Sequence, residues 1–178
     1  MNGEANVISA TGGSTPMPHL LAAALASGAF IVPLALSAAS SPSPTHPGTL
    51  LWYRLLRKPT FKPPDRLIPS AWAAIETALA TAAYRLLRTP TSAPRGRALA
   101  LLSWNTFMIG AWSRLFFGHR KLGVSTVAAA SMIATGAEFV RQAKKVDMGA
   151  ARSGVPFVAW VVFATGLTAA IWSLNRRR

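Results

Sequence analysis

Five long apolar stretches, each bounded by clusters of basic residues, constrain this chain more than any other feature. They are Leu20–Leu36, Leu67–Tyr84, Ala98–Ser113, Leu122–Ala137 and Ser153–Asn175, 16 to 23 residues each, and four of the five hold no Lys, Arg, Asp or Glu. A helix needs roughly 17–25 apolar residues to cross a bilayer core of about 30 Å. A soluble protein of this size rarely needs five helices that are apolar all round, which makes a soluble bundle with an unusually apolar core the weaker alternative. Basic ends also snorkel, lengthening the shorter stretches toward the interface. The reading is an all-α, polytopic membrane protein, a five-helix transmembrane bundle with spans at about 20–38, 67–87, 97–116, 121–141 and 153–174.

The charge agrees with this. The chain carries 19 Lys and Arg against five acidic residues, a formal net charge of +14. A nucleic-acid binder gathers its cations on one face or stripe. Here they fall between the apolar stretches, at Arg54–Arg66, Arg85–Arg97, Arg114–Lys121, Arg141–Arg152 and the tail Arg176–Arg178. A lipid bilayer is the expected partner and nucleic acid is not, since each Lys or Arg near an anionic leaflet is worth about 1 kcal/mol. With five spans one face collects 11 Lys and Arg and the other eight, so the excess of cations points to a cytoplasmic C-terminus. The absence of cysteine excludes a disulfide scaffold, a thiolate metal site and a thiol nucleophile.

Leu20–Leu36 followed by Ser37-Ala38-Ala39-Ser40 has the look of a signal peptide, but the first basic residue is Arg54. A signal peptide opens with a basic segment, so this stretch is read as the first span. Residues 1–17, polar and rich in Gly, Ser and Thr, are expected to form a disordered tail, and residues 18–178 a single transmembrane domain. Its longest connection, 40–68, is rich in proline. Pro42, Pro44 and Pro47 are expected to exclude a helix there, and Pro59, Pro63 and Pro64 to stiffen the second half. Loops of this length often act as lids or binding loops. Trp52, Tyr53 and Phe61 beside five cations suit either such a lid or, as composition favours, an interfacial aromatic belt. The later connections are short, so sequential helices are expected to be antiparallel neighbours.

Two carboxylates fall in apolar surroundings. Glu138 has Arg141 three residues on, an ordinary ion pair near the interface. Glu76 has no basic residue within eight positions of it, so it is expected to face another helix or a cavity, as a ligand contact or in protonated form. No metal cluster follows from the spacing of His19, His46 and His119, no phosphate-binding glycine loop is present, and nothing suggests a catalytic triad. No catalytic residue, metal ligand or cofactor is assigned, and an enzyme is the less favoured class. Trp72 and Trp160 each follow a proline by three or four residues, about one turn into a span. Strict alternation starts those spans on opposite faces, so the two indoles meet only through deep insertion or tilt.

The run Trp52-Tyr53-Arg54-Leu55-Leu56-Arg57-Lys58-Pro59-Thr60-Phe61-Lys62-Pro63-Pro64, followed by Pro69-Ser70-Ala71-Trp72, resembles the WYxxLxKPxxxPP…PxxW signature of the tryptophan-rich sensory protein/translocator protein (TspO/MBR) family. Trp112-Ser113-Arg114-Leu115-Phe116-Phe117-Gly118-His119-Arg120 resembles its WSxxFFGxR block. Pro156–Leu167, closing with Leu174-Asn175, resembles its PYxxWxxFAT ending. The three blocks stand in order over residues 52–175, about 70% of the chain.

The resemblance implies a five-helix bundle, commonly a homodimer, with a pocket under the first long loop for porphyrin, haem-related tetrapyrroles or other apolar small molecules, sterols included. By motif, Trp52 and Tyr53 belong to the lid, Trp72 and Trp160 to the porphyrin site, and Ala164 to the drug and sterol site. With Glu76, Asn105, Trp112 and Phe157 these make up the expected ligand-binding set. Arg54, Arg57, Lys58 and Lys62 are expected at the mouth, where charge-assisted hydrogen bonds would hold propionates while aromatic walls stack on the disc.

The chain also departs from the pattern. The family's Trp after KP is Phe61 and its aromatic after PP is Arg66. Its second-helix Tyr is Glu76, its third-helix Asn is Ile109 and the Gln before that is Asn105. Its fourth-helix Asp is Ala128, the Tyr of PY is Phe157, and the final LN reads Leu167-Thr168. The favoured function is a receptor or carrier that transports, buffers or senses tetrapyrroles. The alternatives are a light- and oxygen-dependent porphyrin-degrading enzyme using Trp72 and Trp160, a proton-coupled transporter using Glu76, and a signalling scaffold.

Overall fold

The computed structural model describes residues 16–176. The expected tail, residues 1–17, lies outside that range except for Pro16 and Met17, as do Arg177 and Arg178. The described chain is all-α, with helices α1 (His19–Ala38), α2 (Pro47–Leu55), α3 (Leu67–Leu87), α4 (Ala93–Ser113), α5 (Leu122–Lys144) and α6 (Met148–Asn175). A π-turn, Arg114–Gly118, prolongs α4. Helices α1, α5 and α6 are long and apolar enough to cross a membrane. Helix α3 carries Glu76 and helix α4 carries Arg95, Arg97, Asn105 and Thr106, and these polar residues lower the apolarity of both. The chain is an integral, multi-pass membrane protein.

The long helices form a closed ring in the order α1, α3, α6, α5, α4. Sequential helices are not always neighbours. Helix α1 wedges between α3 and α4, which touch only lightly despite the short turn joining them. Small residues allow this. Ala22, Ala26, Ala29 and Pro33 form the buried face of α1, and Leu36 lies so close to Gly110 of α4 that a Cβ there would collide with it. Small faces let membrane helices approach closely without a hydrophobic driving force. Helices α5 and α6 lock reciprocally. The Phe157 ring fills the place of a side chain at Gly136, where a Cβ would come within 2.9 Å of it, and Phe139 does the same at Gly154, at 2.5 Å.

Three helix boundaries correct the sequence reading. The loop 40–68 contains a helix, α2, because Pro47 occupies its first turn, where a missing N–H costs nothing and the fixed φ suits a helix. Helix α4 starts at Ala93 rather than 97, since the Ser92 hydroxyl caps it by accepting from the Arg95 N–H. Helix α6 starts at Met148 rather than 153, because the Asp147 carboxylate accepts the Ala150 N–H at 2.6 Å. Pro156 therefore lies inside α6, and Trp160 sits near the middle of a 28-residue helix rather than one turn in.

The ring has two ends. One gathers the C-termini of α1, α4 and α6, the N-termini of α3 and α5, and the 40–66 segment that covers them. At the opposite end Arg85 pairs with Asp147 at 2.7 Å and the His19 ring meets the Tyr84 hydroxyl at 2.6 Å. The guanidinium of Arg85 holds the Asp147 carboxyl below its ordinary pKa.

Candidate functional site

The covering segment is pinned at several points. Trp52 of α2 packs edge-on against Phe116, with centroids 5.9 Å apart, and Tyr53 against Phe117 at 5.6 Å. Trp112 stacks on Phe116 at 4.9 Å, and its Nε1–H donates to the Ser125 carbonyl at 2.9 Å. The Arg120 guanidinium lies over the Trp52 ring, 5.4 Å from its centroid. Beyond α2 the chain is gripped by Asn175 at the end of α6. The Asn175 Oδ1 accepts the Arg57 N–H at 3.1 Å, while its Nδ2 donates to the Arg57 carbonyl at 2.9 Å and to the Ile171 carbonyl at 2.7 Å.

The cations at the mouth divide into two kinds. The Lys58 ammonium turns back to the carbonyls of Tyr53, Arg54 and Leu56, closing the end of α2, and lies 4.4 Å from the Tyr53 ring centroid. Burial lowers its pKa. Lys62 pairs with Asp65 at 2.7 Å, and that hydrogen bond holds the Asp65 carboxyl below its usual range. The Tyr53 hydroxyl donates to Asp65 at 3.2 Å, and burial followed by the charge of Asp65 pushes the phenol pKa up. Arg54 and Arg57 are exposed, and the three ion pairs among the described residues include neither of them.

Under the second half of this segment runs a groove of about 510 Å³, lined by Pro63, Leu67, Ser70, Ala71 and Trp160. Ligand pockets commonly measure about 300–1,000 Å³. The indoles of Trp72 and Trp160 meet edge to face at 6.2 Å, Trp160 lies 5.4 Å from Phe163, and Phe163 meets Phe61 of the cover at 6.4 Å. The two helices do run in opposite senses. Their indoles meet because Trp160 is set deep in a long helix.

The residues expected at one site thus fall into separate groups. Trp72 and Trp160 stand together at the groove. Trp52, Tyr53 and Trp112 belong to the aromatic cluster that seats α2. Asn105 is buried, its Oδ1 accepting the Thr135 hydroxyl at 2.7 Å and its Nδ2 donating to the Leu101 carbonyl at 2.8 Å. Phe157 is wholly buried in its seat against Gly136 of α5. Ala164 is half-buried one turn beyond Trp160. Glu76 is 6% exposed, one turn below Trp72 on the inner face of α3. Glu138 pairs with Arg141 at 2.6 Å and with Gln142. Phe163 and Asn175 lie inside the quoted motifs and carry roles that their place in the motifs does not reveal. The three-residue spacing from Trp160 to Phe163 was the available signal for the first. Nothing in the sequence tied Asn175 to residue 57. Among the described residues no three His, Cys, Asp or Glu side chains gather as a metal site would require.

The sequence profile of the TspO/MBR family matches residues 29–173. The chain is 30% identical over 151 residues to the tryptophan-rich sensory protein of Cereibacter sphaeroides, covering 80% of this chain and 90% of that one. It is 31% identical over 134 residues to protein CrtK of Rhodobacter capsulatus, covering 70% and 78% respectively. To the translocator protein of Sus scrofa it is 29% identical over 134 residues, covering 72% and 78%. The match takes in the second half of α1, the covering segment, the paired indoles and nearly all of α6, and the chain belongs to the TspO/MBR family.

Proposed function

We propose that residues 18–178 form a five-span membrane domain, working as a homodimer, that binds a porphyrin or related tetrapyrrole in the groove beneath the 40–66 cover, as a receptor or carrier. The observation that carries this reading is the contact between Trp72 and Trp160 beside an apolar groove of about 510 Å³. A porphyrin is a large flat disc with carboxylates along one edge. Aromatic walls receive such a disc for about 0.5–1.5 kcal/mol per ring pair beyond area burial. Arg54 and Arg57, free of acidic partners within the described chain, are the cations available to its propionates. Lys58 and Lys62 contribute less, being already engaged with backbone carbonyls and Asp65. Helices α3 and α4 span alongside the three more apolar ones, with Glu76, Asn105 and Thr106 buried inside the ring, and the C-terminus lies in the cytoplasm.

The test is a titration of detergent-purified protein with protoporphyrin IX, followed by tryptophan quenching, in wild type and in Trp72→Phe/Trp160→Phe. Saturable quenching that weakens in the double variant supports the reading. Equal affinity in both, or no saturable binding, refutes it.

A further inference from the structure

Besides Gln142 Oε1 near the opposite end, three polar groups on inward faces of the bundle have no partner among the described residues. The Glu76 side chain is 6% exposed and enters no hydrogen bond or ion pair, and Thr106 Oγ1 and Trp160 Nε1 are sealed from solvent and equally unpaired. Two of them share a depth. At 1.5 Å per residue, Glu76 lies about 13 Å below the start of α3 and Thr106 about 10 Å below the end of α4. Trp160 meets Trp72, one turn above that level on α3. Helix α1 adds a fourth group. Pro33 has no N–H to give the carbonyl of Ala29, and Ala29 is buried about 13 Å below the end of its helix. The adjacent Asn105 shows what a satisfied group looks like at this depth, since Thr135 and Leu101 complete it.

An acid inside a membrane protein ordinarily pairs with a base or faces a functional site, and each unpaired buried polar group carries its desolvation cost. We propose that Glu76, Thr106, the Ala29 carbonyl and the Trp160 indole form a polar subsite that accepts the ammonium group of an aromatic amine. An ammonium group offers three donors, for which the Glu76 carboxylate, the Thr106 oxygen and the Ala29 carbonyl are three acceptors. The Trp160 N–H serves the second carboxylate oxygen. The ammonium and the carboxylate together are net neutral, whichever holds the proton, which is the condition for burial at this depth. Glu76 stands where the family pattern has tyrosine, so the preference belongs to this chain. The proposal deepens the groove reading and rests on it in one respect: Trp160 serves both, so an aromatic skeleton in the groove would bring its amine here.

The test titrates the full chain in lipid nanodiscs with naphthylmethylamine and with methylnaphthalene, by calorimetry, in wild type, Glu76→Leu, Glu76→Gln and Thr106→Val. Wild type is expected to favour the amine at least about tenfold. Both Glu76 variants lose that preference and Thr106→Val reduces it. Without ligand Glu76→Leu is expected to melt higher than wild type, because an unpartnered acid has been removed. Where Leu prevents folding, the Gln variant, close to Glu in shape, still reads the preference. Equal wild-type affinity for the two probes overturns the proposal, as does a preference that survives in Glu76→Gln or a lower melting temperature for a folded Glu76→Leu. Protoporphyrin IX run alongside separates the two readings. Amine preference without porphyrin binding refutes the porphyrin function alone, and porphyrin binding without amine preference refutes the subsite alone.

Discussion

The grip of Asn175 on Arg57 gives a measurable estimate of how firmly the cover is held. Asn175→Ala removes two hydrogen bonds to the backbone of residue 57, at 3.1 and 2.9 Å, and leaves the aromatic seat of α2 in place. At a net 0.5–1.5 kcal/mol per bond, the loss is about 1–3 kcal/mol, or about 5- to 150-fold in the population with the segment undocked. Trypsin reports this directly, because the peptide bond after Arg57 includes the carbonyl that Asn175 holds. Where closing is faster than cleavage, the cleavage rate follows the open population. In nanodiscs, cleavage after Arg57 should accelerate by that factor while the melting temperature changes little. Asn175→Asp keeps an acceptor for the Arg57 N–H and loses the donor to its carbonyl, so it should fall between. If Asn175→Ala leaves cleavage after Arg57 unchanged at an unchanged melting temperature, the bonds do not control docking and the reasoning fails.

Gly136→Ala and Gly154→Ala each push a Cβ into a phenylalanine ring and should cost about 1–3 kcal/mol, seen as a lower melting temperature, with Gly154 the worse of the two. Asp147→Asn keeps a cap for α6 but loses the ion pair with Arg85. Because the Asp147 pKa is lowered in the fold, the pair stabilises fully above the unfolded carboxyl pKa of about 3.9 and is lost as pH falls through the folded value. The melting-temperature gap between wild type and variant should therefore be full at neutral pH and close on acidification. Arg54→Gln/Arg57→Gln should weaken protoporphyrin IX more than its dimethyl ester in the quenching titration, while Lys62→Gln should leave that difference nearly unchanged.

Much of the architecture was legible because apolar length and basic punctuation are long-range patterns that a single sequence carries. What escaped was mostly local chemistry with two meanings. Pro47 read as a helix breaker and serves as a first-turn residue, so α2 was missed. Asp147 lies among basic residues, which disguises it as a loop residue, though it caps α6 and so brings Trp160 to the middle of its helix. The neighbours of α1 were beyond periodicity altogether. Short connections favour adjacency, but the Ala22–Pro33 face and Gly110 let α1 come between α3 and α4. At the site, Trp72 and Trp160 stand in contact, while Trp52, Tyr53 and Trp112 share their motifs yet seat the cover. Sequence spacing does not distinguish an aromatic that meets a ligand from one that holds the structure meeting it.

The reciprocal seats of Phe157 on Gly136 and Phe139 on Gly154 have a consequence for how the groove admits anything. They bind α5 and α6 into one unit of the five-helix ring, so α6, which bears Trp160, cannot swing away from α5 without extracting two rings. The opposite wall, Leu67, Ser70 and Ala71, begins α3, and Leu67 is half exposed on the outside of the bundle. If the groove binds as proposed, admission would fall to α3, by a sideways shift toward hydrocarbon. A guest taking that route would arrive already dissolved in the bilayer, so the concentration that matters would be moles per mole of lipid. Affinities expressed per litre of buffer would fall as lipid is added, whereas those expressed per lipid would stay constant.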